Sequence, residues 1–328
     1  TEKTLMKEET LANKLELHYY FDDSDDTHTM NAFVRNRCEF ELLQIYTELQ
    51  KELELDVKVE TEAFEEGGLI ELWTLLAENA VQITLLLTAL AQALSRVPLR
   101  KSKLEKKDLK LSIEEKKLNI KSLKRELKEK KPEQITIQNL NLIIDSNPKI
   151  LKHLSNYYKQ LYNYPKVKKI STTKLSVNKE KIEEPQFITR TDFNKFVLES
   201  DELESEIDEN ATIEIISPVL KKGKYKWKGV YSKIGEAVDF YMKDKIFKQS
   251  VVAEGIEFKN GTFIDCILEK SRKINEVGEI YTSAYSVLTV LKKHYENTII
   301  ETPQGKKYRK EKEAEKQQLK LFGNNKEK

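Results

Sequence analysis

The 328-residue sequence predicts an α+β protein, with an N-terminal β-α-β start plus long helices and a C-terminal small β barrel or sandwich. Three observations carry that expectation. Leu15, Leu17, Tyr19 and Phe21 alternate with Glu16, His18 and Tyr20, the period of a half-buried strand. Met30, Val34, Cys38, Leu42, Ile45 and Leu49 recur at helical spacing, and 56–64 alternates again. Beyond residue 211, six short segments rich in β-branched and aromatic residues are separated by turn signals, of which Asn260-Gly261 is the strongest.

The elements follow in order. A loose N-terminus of 1–13 precedes an α/β and helical assembly domain over 14–175. Within it, 69–98 is the most apolar stretch, and its uncharged part (80–94) still holds Gln82, Thr84, Thr88 and Gln92. Glu71 and Glu78 before it and Arg96 after it argue for a buried or oligomer-forming helix over a bilayer span. Residues 100–131 carry 14 Lys+Arg against 6 Asp+Glu on a helix-favouring background closed by Pro132. Two short helices interrupted at Asn147-Pro148 come next, the second rich in tyrosine (Tyr157, Tyr158, Tyr162, Tyr164), and 167–175 is extended. An acidic linker is expected over 176–210, a β-rich domain over 211–300, and a basic flexible tail over 301–328.

Charge and composition narrow the functions. With 57 Lys+Arg against 55 Asp+Glu, the net charge of +2 names no partner. The 34% charged content speaks against a polytopic membrane protein, and the 39% hydrophobic content against wholesale disorder. The two cysteines, Cys38 and Cys266, make neither a disulfide framework nor a CxxC site, and 1–20 has no signal-peptide pattern. The expected location is cytoplasmic, with membrane association through 69–131 as the alternative.

No reactive constellation stands out. The four histidines fall in no zinc or hydrolase motif, Gly67-Gly68 and Lys222-Gly223-Lys224 lack nucleotide-loop spacing, and nothing requires a cofactor. Asp22, Asp23, Asp25 and Asp26 suit either a divalent cation, as in a metal-dependent nuclease, or a helix-capping turn. At strand period Lys224, Lys226 and Lys228 share one face, opposite Tyr225 and Trp227, so the lysines are available to a phosphate backbone. Lys121, Lys124 and Arg125 belong to the basic helix-favouring segment, which would meet nucleic acid or an anionic membrane surface.

Gln318-Leu319-Lys320-Leu321-Phe322 resembles the pentapeptide by which many bacterial proteins bind the DNA polymerase sliding clamp. Four of five positions match, and Lys320 occupies the variable third one. The resemblance implies that Gln318, Leu319, Leu321 and Phe322 contact the clamp. The general layout, including the Glu65-Glu66-Gly67-Gly68 break, Trp227 and Asp244-x-x-Phe247, is similar to uncharacterised proteins of bacterial defence islands. Together these lead to the expectation of a non-catalytic, homo-oligomeric binding protein acting against phages or plasmids at replicating DNA. A membrane-associated oligomeric effector and a metal-dependent nuclease are the alternatives.

Overall fold

The computed structural model describes residues 12–21, 29–62, 69–98, 136–219, 221, 223–253, 258–259, 261–296 and 298–323, the last nine by backbone alone. The chain divides into two compact units, 1–200 with the turn 276–279, and 201–275 with 280–328.

In the first unit, β1 (Ala12–Tyr20) buries Leu15, Leu17 and Tyr19, the set its alternation selects. Helix α1 (Ala32–Leu53) starts where the Asn31 carboxamide accepts the N–H groups of Phe33 and Val34 at 2.9 and 3.3 Å. Cys38, Leu42, Ile45, Leu49 and Leu53 form its core stripe. Strands β2 (Lys58–Thr61) and β3 (Leu69–Leu76) follow.

The apolar stretch 69–98 is thus not one helix. Its first eight residues pair with β1 and β2 as a strand, and Asn79 then caps α2 (Ala80–Ser95). Eight residues of α2 are buried, including Leu85, Leu86, Leu90 and Leu94, and seven of them join the same core as α1. Of the alternatives for this stretch, the buried one describes α2, whose apolar residues pack inside its own unit. Among the described residues no helix is long and apolar enough to cross a membrane.

Asn147 ends α3 (Ile137–Ser146), and its side chain caps α4 (Pro148–Tyr162), with Pro148 at the tolerant first position. Tyr157 and Tyr158 are fully buried, whereas Tyr162 is exposed. Strands β4 (Lys169–Ser176) and β5 (Gln186–Thr189) complete an antiparallel sheet of order β2-β3-β1-β4-β5. A one-turn helix, α5 (Arg190–Phe193), ends the run. The first four strands have the order of a split β-α-β, or ferredoxin-like, arrangement.

The acidic stretch expected as a linker belongs to β6 (Glu202–Ser217), the opening strand of the second unit. It lies against basic residues of β9 (Phe263–Ile274): Lys270 Nζ is 2.5 Å from Glu206, and Lys273 Nζ is 4.0 Å from Glu202. The acids read as a solvated linker because their partners sit some 65 positions further along. Between them come β7 (Lys226–Tyr231), β8 (Glu236–Met242) and α6 (Lys245–Ala253), whose first turn is capped by Asp244.

Strand β10 (Ile280–Tyr295) pairs antiparallel with β9 and parallel with β8, while β9 pairs with β6. The sheet therefore closes in the order β6-β7-β8-β10-β9-β6. A barrel forms and the sandwich alternative falls away. Strand β11 (Thr298–Glu301) adds to the outer end of β10. Trp227, Phe240, Ile264, Cys266, Leu268, Val287 and Val290 fill the interior.

The segment expected as a flexible tail is helical in α7 (Pro303–Gly323). Its first half is tied to the barrel by Gln304 on Asp244 at 2.9 Å, Arg309 on Glu301 at 3.0 Å and Lys312 on Glu209 at 3.1 Å.

Candidate nucleic-acid interface

Five strands closed with every neighbouring pair antiparallel except the third and fifth, which are parallel, and a helix between the third and fourth, are the arrangement of an OB-fold. In such barrels the face of the second and third strands, with the loop joining the first and second, receives oligonucleotides or oligosaccharides. Here those are β7, β8 and the connection between β6 and β7.

Alternation along β7 sends Trp227, Gly229 and Tyr231 inward and Lys226, Lys228 and Val230 outward. Trp227 is held by Phe240, Phe247 and Phe258, with ring centroids 6.2, 6.3 and 5.5 Å away. Gly229 is required: a Cβ there would stand 2.5 Å from the Glu214 carbonyl and from the Ile213 side chain. The buried Tyr231 hydroxyl donates to Asp208, which also takes Lys233 at 2.6 Å. Burial and that hydrogen bond push the Tyr231 phenol up.

On β8 the outward positions are Ala237, Asp239 and Tyr241. Lys226 lies across from Tyr241 and Lys228 across from Asp239. Lys226 Nζ sits 5.4 Å from the Tyr241 ring centroid, within the range of a cation–π contact. Among the described residues no carboxylate lies within ion-pair distance of Lys224, Lys226 or Lys228. Residues 221–248 hold nine Lys against three Asp and Glu, a concentration of positive charge on a nearly neutral chain.

The structure keeps the predicted Lys224, Lys226 and Lys228 exposed and moves the aromatics. Trp227 lies in the core as its alternation indicates, but Tyr225 does not accompany it, because β7 begins only at Lys226. Tyr225 is 52% exposed, its ring lying against Gly223, whose φ of +141° and missing Cβ make room for it. Across the strand pair, Lys226, Lys228 and the Tyr241 ring share one side. Tyr241 was missed by sequence reasoning: its outward position is legible in the alternation of 236–242, but its place beside Lys226 depends on strand pairing.

The remaining predicted residues are not brought to this face. Asp22, Asp23, Asp25 and Asp26, and Lys121, Lys124 and Arg125, lie outside the described residues. Gln318, Leu319, Leu321 and Phe322 fall in the last two turns of α7, where only the backbone is described. Among the described residues no group of three or more His, Cys, Asp and Glu side chains is placed to hold a metal ion.

No protein-family model matches the chain. No curated protein and no solved structure matches it either. The OB arrangement rests on strand order, closure and helix placement, and function has to be argued from the face itself.

Proposed function

We propose that this protein is a non-catalytic nucleic-acid-binding protein that holds a single strand on the β7–β8 face of its barrel. What supports the reading is one juxtaposition: Lys226 and Lys228, neither engaged by a described carboxylate, on the same outer face as the Tyr241 ring, with the exposed Lys224 and Tyr225 just before β7 in sequence. Lysines track a phosphate backbone, while unpaired bases offer π faces that a duplex hides. Asp239 is the acid on this face, and it sits opposite the end of the lysine row.

The test is fluorescence anisotropy of a labelled oligothymidylate against a duplex of matched phosphate number. The single strand is expected to bind tighter, and Lys226→Ala/Lys228→Ala/Tyr241→Ala to weaken it by at least about tenfold, since one stacked base alone is worth roughly 1–3 kcal/mol. Equal binding by the triple variant ends the proposal.

The Gln318–Phe322 sequence extends it. Its likeness to the clamp-binding pentapeptide supports recruitment of the single-strand binder to replicating DNA, in keeping with a defence role against invading replicons. Capture by purified bacterial sliding clamp, abolished in Leu321→Ala/Phe322→Ala, is the expected result; equal capture removes this part and leaves the barrel proposal standing.

A further inference from the structure

In the first unit the helices share a core with one face of the sheet, through Leu15, Leu17 and Tyr19. The opposite face of β1 presents Glu16, His18 and Tyr20. Across from His18 and Tyr20 stand Ser171 and Lys169 of β4, and across from Ser171 stands Phe187 of β5. Three adjacent strands thus bring three rings together. His18 and Tyr20 stack with centroids 3.9 Å apart and planes 18° from parallel, and Phe187 lies 5.9 Å from Tyr20. Lys169 Nζ sits 4.5 Å over Tyr20 and 5.0 Å over Phe187, and the Tyr20 hydroxyl meets Ser171 Oγ at 3.2 Å.

This cluster is not core. Phe187 is 49% exposed, and neither Tyr20 nor His18 is buried. By strand register Lys169 shares this face with Tyr20 and Ser171, and Glu16 lies on it two positions before His18. Burial, and then Lys169, hold the His18 imidazole below its ordinary range, so at neutral pH its ring is an uncharged stacking surface. Cross-strand stabilisation alone would account for the contacts between the rings. It does not account for a half-exposed phenylalanine, with a lysine over it, on the sheet face opposite the shared core. Aromatic side chains on the free face of an antiparallel sheet are a known means of stacking unpaired bases.

We infer that this face is a second single-strand site, in which bases stack on Tyr20 and Phe187 while Lys169 meets the phosphate backbone. It stands on residues separate from the barrel face and does not depend on that reading.

The experiment counts sites on the full chain, using dT and rU oligonucleotides of about eight nucleotides, a length within the range one barrel covers. At stoichiometric protein the wild type should take two. Lys226→Ala/Lys228→Ala/Tyr241→Ala should leave one, and adding Tyr20→Ala/Phe187→Ala should leave none. Phe187→Ala alone, at a half-exposed position, separates a binding defect from a folding defect: it should weaken the site that remains in the barrel variant by about fivefold or more with little change in melting temperature. Ultraviolet cross-linking of the barrel variant should label peptides containing Tyr20 or Phe187. If the barrel variant binds no oligonucleotide, or binds one that persists after Tyr20→Ala/Phe187→Ala, the inference is overturned. If the wild type takes a single oligonucleotide that only Tyr20→Ala/Phe187→Ala removes, this site holds and the barrel proposal fails.

Discussion

Lys226 and Tyr241 face each other across the β7–β8 pair, with the ammonium 5.4 Å from the ring centroid on the outside of the barrel. The contact sets a charge for a phosphate beside a ring for a base, and its two partners do separable things. Removing lysines changes how binding responds to salt, whereas removing the ring changes affinity at every salt concentration.

That separation is measurable. Lys226→Ala/Lys228→Ala should lower the slope of log affinity against log salt by about two, one for each lysine that no longer meets a phosphate. Tyr241→Ala should leave the slope unchanged and weaken binding by roughly tenfold. Anisotropy titrations over a salt series distinguish the two.

Gly229→Ala tests closure of the barrel. The added methyl would lie 2.5 Å from the Glu214 carbonyl oxygen, on the backbone of the neighbouring strand β6. Neither strand can yield without disturbing the ladder, so a destabilisation of about 1–3 kcal/mol is expected in denaturant unfolding.

Glu71 is 3% exposed, with one carboxylate oxygen taking Arg35 Nε at 3.2 Å and the other buried without a hydrogen-bond partner among the described residues. Burial pushes its carboxyl up to about 7, against the opposing pull of Arg35. The folded state therefore holds a proton that the unfolded chain releases at the ordinary carboxylate value. This contribution to stability is fully present below about pH 4.5 and falls as pH rises through about 7. Glu71→Gln should remove that decline and be more stable than the wild type at pH 8 by up to about 2–3 kcal/mol. Melting temperatures of both proteins from pH 5 to 8 give the comparison.

Arg190 closes the end of α4. Its guanidinium donates to the carbonyls of Leu161, Tyr164 and Val167 at 3.1, 3.1 and 3.3 Å, and to that of Tyr162. Arg190→Ala removes the donor to the Tyr162 and Val167 carbonyls, while those of Leu161 and Tyr164 keep a backbone N–H, and should cost about 1–3 kcal/mol. Arg190→Lys should recover little of it, since an ammonium lacks the planar fork that reaches them together. Thermal unfolding of the two variants is the measurement.

Local pattern sufficed for elements whose determinants are neighbours in sequence. The alternation of Leu15, Leu17 and Tyr19, the spacing from Cys38 to Leu49, and the break at Asn147-Pro148 all appear in the structure where periodicity and capping place them. Local pattern misled where the partner is remote. Residues 69–76 are apolar enough to extend the following helix, yet β1 and β2 take them as a strand. Helix α6 was not foreseen, because Asp244 caps it from the end of a strand.

From the sequence alone came two folded parts, a barrel or sandwich in the second, and a lysine row opposite Trp227. These depend on side-chain periods of two and 3.6, which any stretch of chain displays by itself. Closure of the barrel, the pairing of the acids of β6 with the lysines of β9, and the meeting of Lys226 with Tyr241 were decided by the tertiary structure. Strand order and register bring together residues with no local relation, and no period within either strand records which neighbour it will have.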